Sequence, residues 1–400
     1  MVLAPYRRLA GIPGGVAFSA TGLVARMPIS MTSLGIIVLV SARTGSYAQA
    51  GSISAAEVIA AAITSPWQGR LYDRFGQARV IVPAVICGAI AMTLLIVTIE
   101  QGWPAPLPHA AAALTGFSFP MIGSCVRARW RYVVPDRDLL NTAFAVEAVV
   151  DEAVFVTGPP LVTFLGTSVN PRAGLASAAG LGLVGTLALA VQRRTEPPVG
   201  HEGHSALVRA PLNWTVLGPL LVVSGGLGSL FGSTEVVTVA FATDHGNRAD
   251  AGLLLALWAL GSLVAGAVVG ALSMRRSALS RMRIGTAVLT LVLVPLLVVP
   301  SIPWLAALML FSGLAVSPTL VSTMSLAEES VPPARLAEGI GWVTTGLATG
   351  IAPGAAISGW LVDHHGTTAG YVVPLVSGGL AALVAALMRA PSRTHTARAR

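Results

Sequence analysis

Gly69-Arg70-Leu71-Tyr72-Asp73-Arg74-Phe75-Gly76-Gln77-Ala78-Arg79 separates two apolar runs, residues 51–68 and 80–99. Each run is about long enough to cross a bilayer core of ~30 Å at ~1.5 Å per helical residue. The stretch therefore reads as a tight, highly charged turn between two membrane helices. Gly69 and Gly76 permit backbone conformations and close approaches that a side chain would block. Asp73 lies among Arg70, Arg74 and Arg79, cations that favour its ionised form.

The composition around this turn is that of an integral membrane protein. The 400 residues are 54% hydrophobic and 10% charged, against about 25% charged in an ordinary soluble domain. Every one of the 25 basic residues is Arg. The absence of Lys excludes a phosphate loop of the Walker A kind and Schiff-base chemistry, both of which need the amine. A net charge of +8 would suggest nucleic acid only if the Arg residues clustered on a soluble face. Here they punctuate the apolar runs, so no nucleic-acid partner is expected. Cys87 and Cys125 read as free thiols. Arg7-Arg8 before the first apolar run fits a retained first helix better than a cleaved signal peptide, because eleven more spans follow.

Twelve spans are expected, near 14–41, 51–68, 80–99, 104–126, 139–165, 173–191, 214–241, 251–273, 283–301, 303–325, 336–361 and 369–389. This divides the chain into a six-helix bundle (1–191), a linker (192–213), a second six-helix bundle (214–390) and a basic tail (391–400) that could touch anionic lipid. Positive residues favour the cytoplasmic side. With both termini inside, the outer segments hold only Arg43, Arg172 and Arg248, and Arg26 is left inside span 1. The halves repeat: Ala50-Gly51 recurs as Ala251-Gly252, and Gly69 as Gly270 at the same separation, so that Arg74 falls on Arg275. Gly116-Phe-Ser-Phe-Pro120 running to Val134-Pro135 recurs as Gly313-Leu-Ala-Val-Ser-Pro318 running to Val331-Pro332.

The spacing Gly-x-x-x-Asp-Arg-x-Gly-x-x-Arg at 69–79 resembles the loop between helices 2 and 3 of the major facilitator superfamily, with Gln77-Ala78 in place of the usual basic pair. Loop motif, span count and two parallel six-helix repeats extend the resemblance over nearly the whole chain. It implies an all-α membrane protein of twelve transmembrane helices in two six-helix pseudo-repeats, a multi-pass transporter of the plasma membrane without a cofactor, working as a monomer. It implies a gating role for Gly69, Asp73, Arg74, Gly76 and Arg79. Asp73 is expected to meet the N-terminus of span 11, near Arg335–Glu338, and Arg127 or Arg129 at the inner end of span 4. Gly158-Pro159 in span 5 resembles the core of the antiporter motif of drug-exporting relatives, with Val162-Thr163 where a paired Gly is usual and no Arg in residues 110–126.

Charges within spans are costly, about +2.5–3.5 kcal/mol at a helix centre, so each is a functional candidate. Glu147 and Asp151 in span 5 share a helix face, and Glu152 is turned about 100° away. Asp151 and Arg26 both lie about 18 Å deep at ~1.5 Å per residue. Spans 1 and 5 are neighbours in the fold that the resemblance implies, which allows an Arg26–Asp151 pair. Three carboxylates against one cation leave Glu147 or Glu152 to carry a proton. Glu235, late in span 7 among Ser233, Thr234 and Thr238, is placed by the resemblance near the outer end of the central cavity; Glu57 in span 2 reads as a structural acid. His201, His204, His364 and His365 read as solvated loop residues, with no metal site.

Every Asn and Gln lies at a span end or in a loop. A sugar site needs planar polar side chains, since unpaired buried polar groups are costly. A few carboxylates and hydroxyls in an apolar cavity suit a lipophilic or cationic small molecule instead. The expectation is proton-coupled export by alternating access. The alternatives are import of a small anionic metabolite on Arg26, and a non-transporting receptor. No catalytic constellation is present that would make the chain an enzyme.

Overall fold

The computed structural model describes residues 4–199, 212–271, 276–331 and 336–389. After a short helix, Ala4–Ala10, the first half contains α1 (Gly15–Thr44), α2 (Tyr47–Phe75), α3 (Gln77–Glu100), α4 (Pro106–Ser118, resuming as Ile122–Val133), α5 (Arg137–Phe164) and α6 (Ala173–Ala190). The second contains α7 (Trp214–Asp244), α8 (Asp250–Ala271), α9 (Ala278–Leu293), α10 (Ile302–Ser330), α11 (Leu336–His365) and α12 (Thr367–Gly370, resuming as Val372–Leu387). Among the described residues ten of these segments are long and apolar enough to cross a membrane. The other two, α2 and α5, are 29 and 28 residues long but carry Glu57 and the Glu147–Asp151–Glu152 group, which lower their apolarity. The all-helical membrane architecture expected from the sequence is therefore the one observed.

Packing repeats between the halves. In the first, α1 packs on α5 and α6, and α4 lies between α2 and α3. In the second, α7 packs on α11 and α12, and α10 lies between α8 and α9. The repeated Gly pair shows why. A Cβ on Gly116 of α4 would lie 2.0 Å from the Glu57 carbonyl of α2, and one on Gly313 of α10 would lie 2.1 Å from the Trp258 carbonyl of α8. Small residues let membrane helices approach backbone to backbone where the hydrophobic effect no longer drives association. The closest such seam joins α7 to α11, where Gly228 and Gly232 face Leu347 and Ile351, and Gly350 and Gly354 face Gly225 and Ser229.

Two details differ from the sequence reading. The organising stretch is hardly a loop: α2 runs to Phe75 and α3 starts at Gln77, leaving Gly76 as the corner at φ 87° and ψ 151°. Gly69 lies inside α2, and no described atom comes within 4 Å of where its Cβ would stand. Span 4, expected to end near residue 126, continues to Val133 after a break at Phe119–Met121. Pro120 interrupts the helical hydrogen bonds, and α2 replaces them. Gln68 donates to the Phe119 carbonyl at 2.7 Å and accepts from Met121 N at 2.9 Å, and the Tyr72 hydroxyl also accepts from Met121 N at 2.9 Å. The worn repeat of the loop at Gly270–Arg276 falls largely on residues outside the described set.

The halves meet through α2 against α11 and α5 against α8, a pair related by the same pseudo-symmetry, with a smaller contact of α7 on α1 and α2. Among the described residues, the glycine-mediated close approaches between the halves lie in the part of the bundle away from Gly76. Gly51 of α2 packs on Ala355 of α11, Gly359 of α11 packs on Tyr47 of α2, and Gly252 of α8 packs on Pro159 and Pro160 of α5. Below, the end of the bundle at that corner is the Gly76 face and the opposite end is the Asp363 face.

Candidate functional site

Two polar layers cross the bundle. The first lies within the N-terminal half. Arg26 of α1 donates to Asp151 Oδ1 at 2.6 Å and also to Glu147 Oε2, and its Nε bonds back to the Gly22 carbonyl at 3.0 Å. Glu147 is fully buried and Arg26 only 5% exposed. The other Glu147 oxygen accepts from Ser19 Oγ at 2.5 Å and Trp130 Nε1 at 2.8 Å, and Trp130 is held edge-on by Phe18, 4.6 Å between centroids. Asp151, one third exposed, has a second cation: Arg127 of α4 donates to its Oδ2. Buried charges persist where they are paired and hydrogen-bonded.

This layer brings together the Arg26 and Asp151 paired in the sequence reading and adds partners that the reading does not give them. The sequence reading puts Arg127 at the inner end of span 4, as a candidate partner of Asp73, and counts Arg26 as the one cation of this layer. Because α4 continues past its break, Arg127 stands beside Asp151 as a second cation. Of the two acids proposed to carry a proton, Glu147 has both oxygens engaged by donors. Glu152 is half-buried beside Asp151 and has no hydrogen-bond partner among the described residues. The sequence reading does not place Ser19, Trp130 or Arg127 in this layer. The signal available for Arg127 and Trp130 was the apolar periodicity of Ile122, Cys125, Val126, Trp130 and Val133, which extends the helix beyond the bilayer-length run.

The second layer is about 10 Å further along α1, seven residues on at ~1.5 Å each. It joins the halves. Ser33 of α1 donates to Glu235 Oε2 of α7 at 2.5 Å and shares a 2.9 Å hydrogen bond with Ser54 of α2. Glu57, one turn along α2 from Ser54, is in Coulombic range of Glu235. No described Arg bonds to either acid. Ser233 and Thr234, expected beside Glu235, bond back to carbonyls of their own helix. Its partner comes from α1 instead.

The organising loop is fastened to α4 and to the start of the linker. Arg129, fully buried, donates to Gln77 Oε1 at 2.9 Å, the Gln192 carbonyl at 2.9 Å and Thr195 Oγ1 at 3.1 Å. Glu196 caps α3 by accepting from Ala78 N at 2.9 Å. The guanidinium hydrogen bonds described for Arg127 and Arg129 thus go to groups other than Asp73, which has a contact of its own. Of the expected Asp73 partner at Arg335–Glu338, Arg335 lies outside the described residues and the side chains of residues 336–338 are not described. Arg70, Arg74 and Arg79 are all exposed around this corner. Gly158, the Gly of the antiporter-like pair, packs on Ser30 of α1, while Pro159 meets Gly252 of α8. His364 stacks on Trp360 at 4.6 Å, and no three His, Cys, Asp or Glu among the described residues converge as a metal site. His201 and His204 lie outside the described residues.

The family profile described as Major Facilitator Superfamily matches residues 18–243 and 210–400. An uncharacterized MFS-type transporter, y4rN of Sinorhizobium fredii (strain NBRC 101917 / NGR234), is 25% identical over 407 residues, covering 98% of each chain. Among solved structures, the nucleoside transporter NupG superposes with a TM-score of 0.73 at 15% identity, over 93% of this chain and 97% of that one. A bacterial homolog to the human lysosomal transporter Spinster, in an inward-facing and occupied conformation, gives 0.69 at 13% identity, over 96% of both chains.

Proposed function

This chain belongs to the Major Facilitator Superfamily and is a multi-pass membrane transporter, and from that premise we propose that it couples protons to the export of a lipophilic or cationic small molecule by alternating access. The observation that carries the reading is the imbalance between the two polar layers. Arg26 and Arg127 are spent on Glu147 and Asp151. Glu235 accepts from the Ser33 hydroxyl and stands near enough to Glu57 of the other half for their charges to interact, and no described Arg bonds to either. An acid pair of this kind holds a proton when the halves close on it and competes for a cation when they part. Differential binding of this sort shifts the population of the two states. Glu152 is the second carrier on this reading, and Glu147, with both oxygens engaged, is structural.

Arg26 offers nothing to a carboxylate substrate, since it is buried and occupied by two acids. That weighs against import of an anion. The Arg distribution supports a cytoplasmic position for the Gly76 face and both termini, in a plasma membrane on this reading. On that assignment the halves are closed toward the outside and the chain functions as a single protomer.

The test is uptake and efflux of a compound panel in proteoliposomes with an imposed pH gradient. Glu57→Gln and Glu235→Gln are expected to abolish gradient-driven transport while leaving substrate exchange at equal pH. Full gradient-driven transport in both variants would refute proton carriage by this pair.

A further inference from the structure

The octapeptide that shapes the α2–α3 corner occurs again at the end of α11. Gly69-x-Leu71-x-Asp73-Arg74-x-Gly76 is matched by Gly359-x-Leu361-x-Asp363-His364-x-Gly366. The backbones match as well. Gly76 has φ 87° and ψ 151° and donates to the Tyr72 carbonyl at 2.9 Å; Gly366 has φ 83° and ψ 171° and donates to the Val362 carbonyl at 3.0 Å. Each is a single-glycine corner between two helices, with an Asp three residues before it. They stand at opposite ends of the bundle, because α2 and α11 run antiparallel.

At the Asp363 face the partner of this Asp is visible. Asp363 crosses between the halves to cap α2, accepting from Ser46 Oγ at 2.7 Å, Tyr47 N at 2.8 Å and Ala48 N at 2.8 Å. These are the N-cap hydroxyl and first two amides of α2, the groups that a helix leaves unsatisfied and that favour an anion. Ser46 also caps its own helix by accepting from Gln49 N at 3.1 Å. Gly359, four residues before Asp363, lets the α2 backbone in: a Cβ there would lie 2.2 Å from the Tyr47 carbonyl. The exposed crevice of about 440 Å³ beside this contact is lined by Thr44, Ser46, Tyr47, Asp244, Asp363 and Thr367.

We infer that Asp363 is the latch of the Asp363-face gate, built on the same octapeptide as the corner at Gly76, and that it must release α2 each time the halves part there. Three hydrogen bonds to a carboxylate hold the gate, and Gly359 sets how closely it shuts. The inference requires that the halves move and does not depend on protons driving them.

Double electron–electron resonance on the purified full chain in nanodiscs tests it without a substrate. Spin labels at Ala42→Cys and Thr368→Cys, in a Cys87→Ser and Cys125→Ala background, report the separation of the halves on this face. Asp363→Ala is expected to raise the ratio of long to short distances by about tenfold or more. That is the equivalent of one charge-assisted hydrogen bond at about 1.4 kcal/mol per factor of ten. Ser46→Ala and Asp363→Asn, which keep part of the contact, should move it less in the same direction, and they decide the question if Asp363→Ala fails to fold. Arg43→Ala, which breaks a bond to Glu100 on the same face but within one half, should leave the distances unchanged. Distances unaffected by the Asp363 and Ser46 variants, or moved equally by Arg43→Ala, would overturn the latch.

Discussion

Replacing Arg26 by Met leaves Glu147 buried without its cation, and the cost follows from the geometry. Breaking a buried pair by removing one partner costs about 3–5 kcal/mol. Ser19 and Trp130 still donate to Glu147, which places the loss at about 3 kcal/mol. Asp151 is one third exposed and keeps Arg127, so its share is at most about 1 kcal/mol. Arg26→Met should therefore destabilise by about 3–4 kcal/mol, a large part of a total that is commonly about 5–15 kcal/mol. Glu147→Met leaves Arg26 with Asp151 and should cost less. The double variant removes both buried charges and restores an apolar contact, an exchange that is often neutral or better, so it should recover at least about 2 kcal/mol relative to the sum of the singles. Thermal unfolding of the purified proteins in one detergent, followed by Trp fluorescence and by light scattering, reads the series. A wild-type melting point in Arg26→Met, or a double variant no more stable than the two losses added, would refute the assignment of this layer as a structural lock.

Other outcomes follow from single contacts. Gly228→Val places a Cβ 1.9 Å from the Leu347 carbonyl; overpacking costs about 1–3 kcal/mol even where neighbours yield, so monodisperse protein should be lost on size-exclusion chromatography. Gln68→Leu strands the Phe119 carbonyl and weakens the patch over the α4 break, which should cost about 1–3 kcal/mol and exceed the cost of Tyr72→Phe in the same melting assay. Arg43→Ala removes a surface pair and should stay within about 1 kcal/mol of wild type. Cys125 is buried, so native thiol labelling cannot report its side of the membrane. Arg74→Cys is expected to react with an impermeant thiol reagent only in opened cells and Ala105→Cys in intact ones, and the reverse pattern would invert the topology.

The membrane fold could be read from sequence because its causes are local or periodic. Apolar run length fixes which segments cross a bilayer, the cost of buried charge marks Arg26, Glu147, Asp151, Glu152 and Glu235 as exceptional, and the repeated glycines carry the duplication. Gly76 could be assigned to a corner because only its backbone freedom allows one there. What tertiary packing alone decided is which charge answers which. Arg127 meets Asp151 only because Gln68 and Tyr72 of α2 hold α4 together across its break, so that the helix carries on past Pro120. Ser33 meets Glu235 across 202 positions of chain, and no local pattern encodes such a contact. Asp363 sits in an octapeptide that matches the one around Asp73, and sequence cannot say that it meets Ser46 and the start of α2, because that depends on how the two halves are tilted. The physical reason is the same in each case. Helix formation and membrane insertion are settled within one segment, whereas pairing of charges depends on the depth, rotation and relative tilt of segments far apart in the chain.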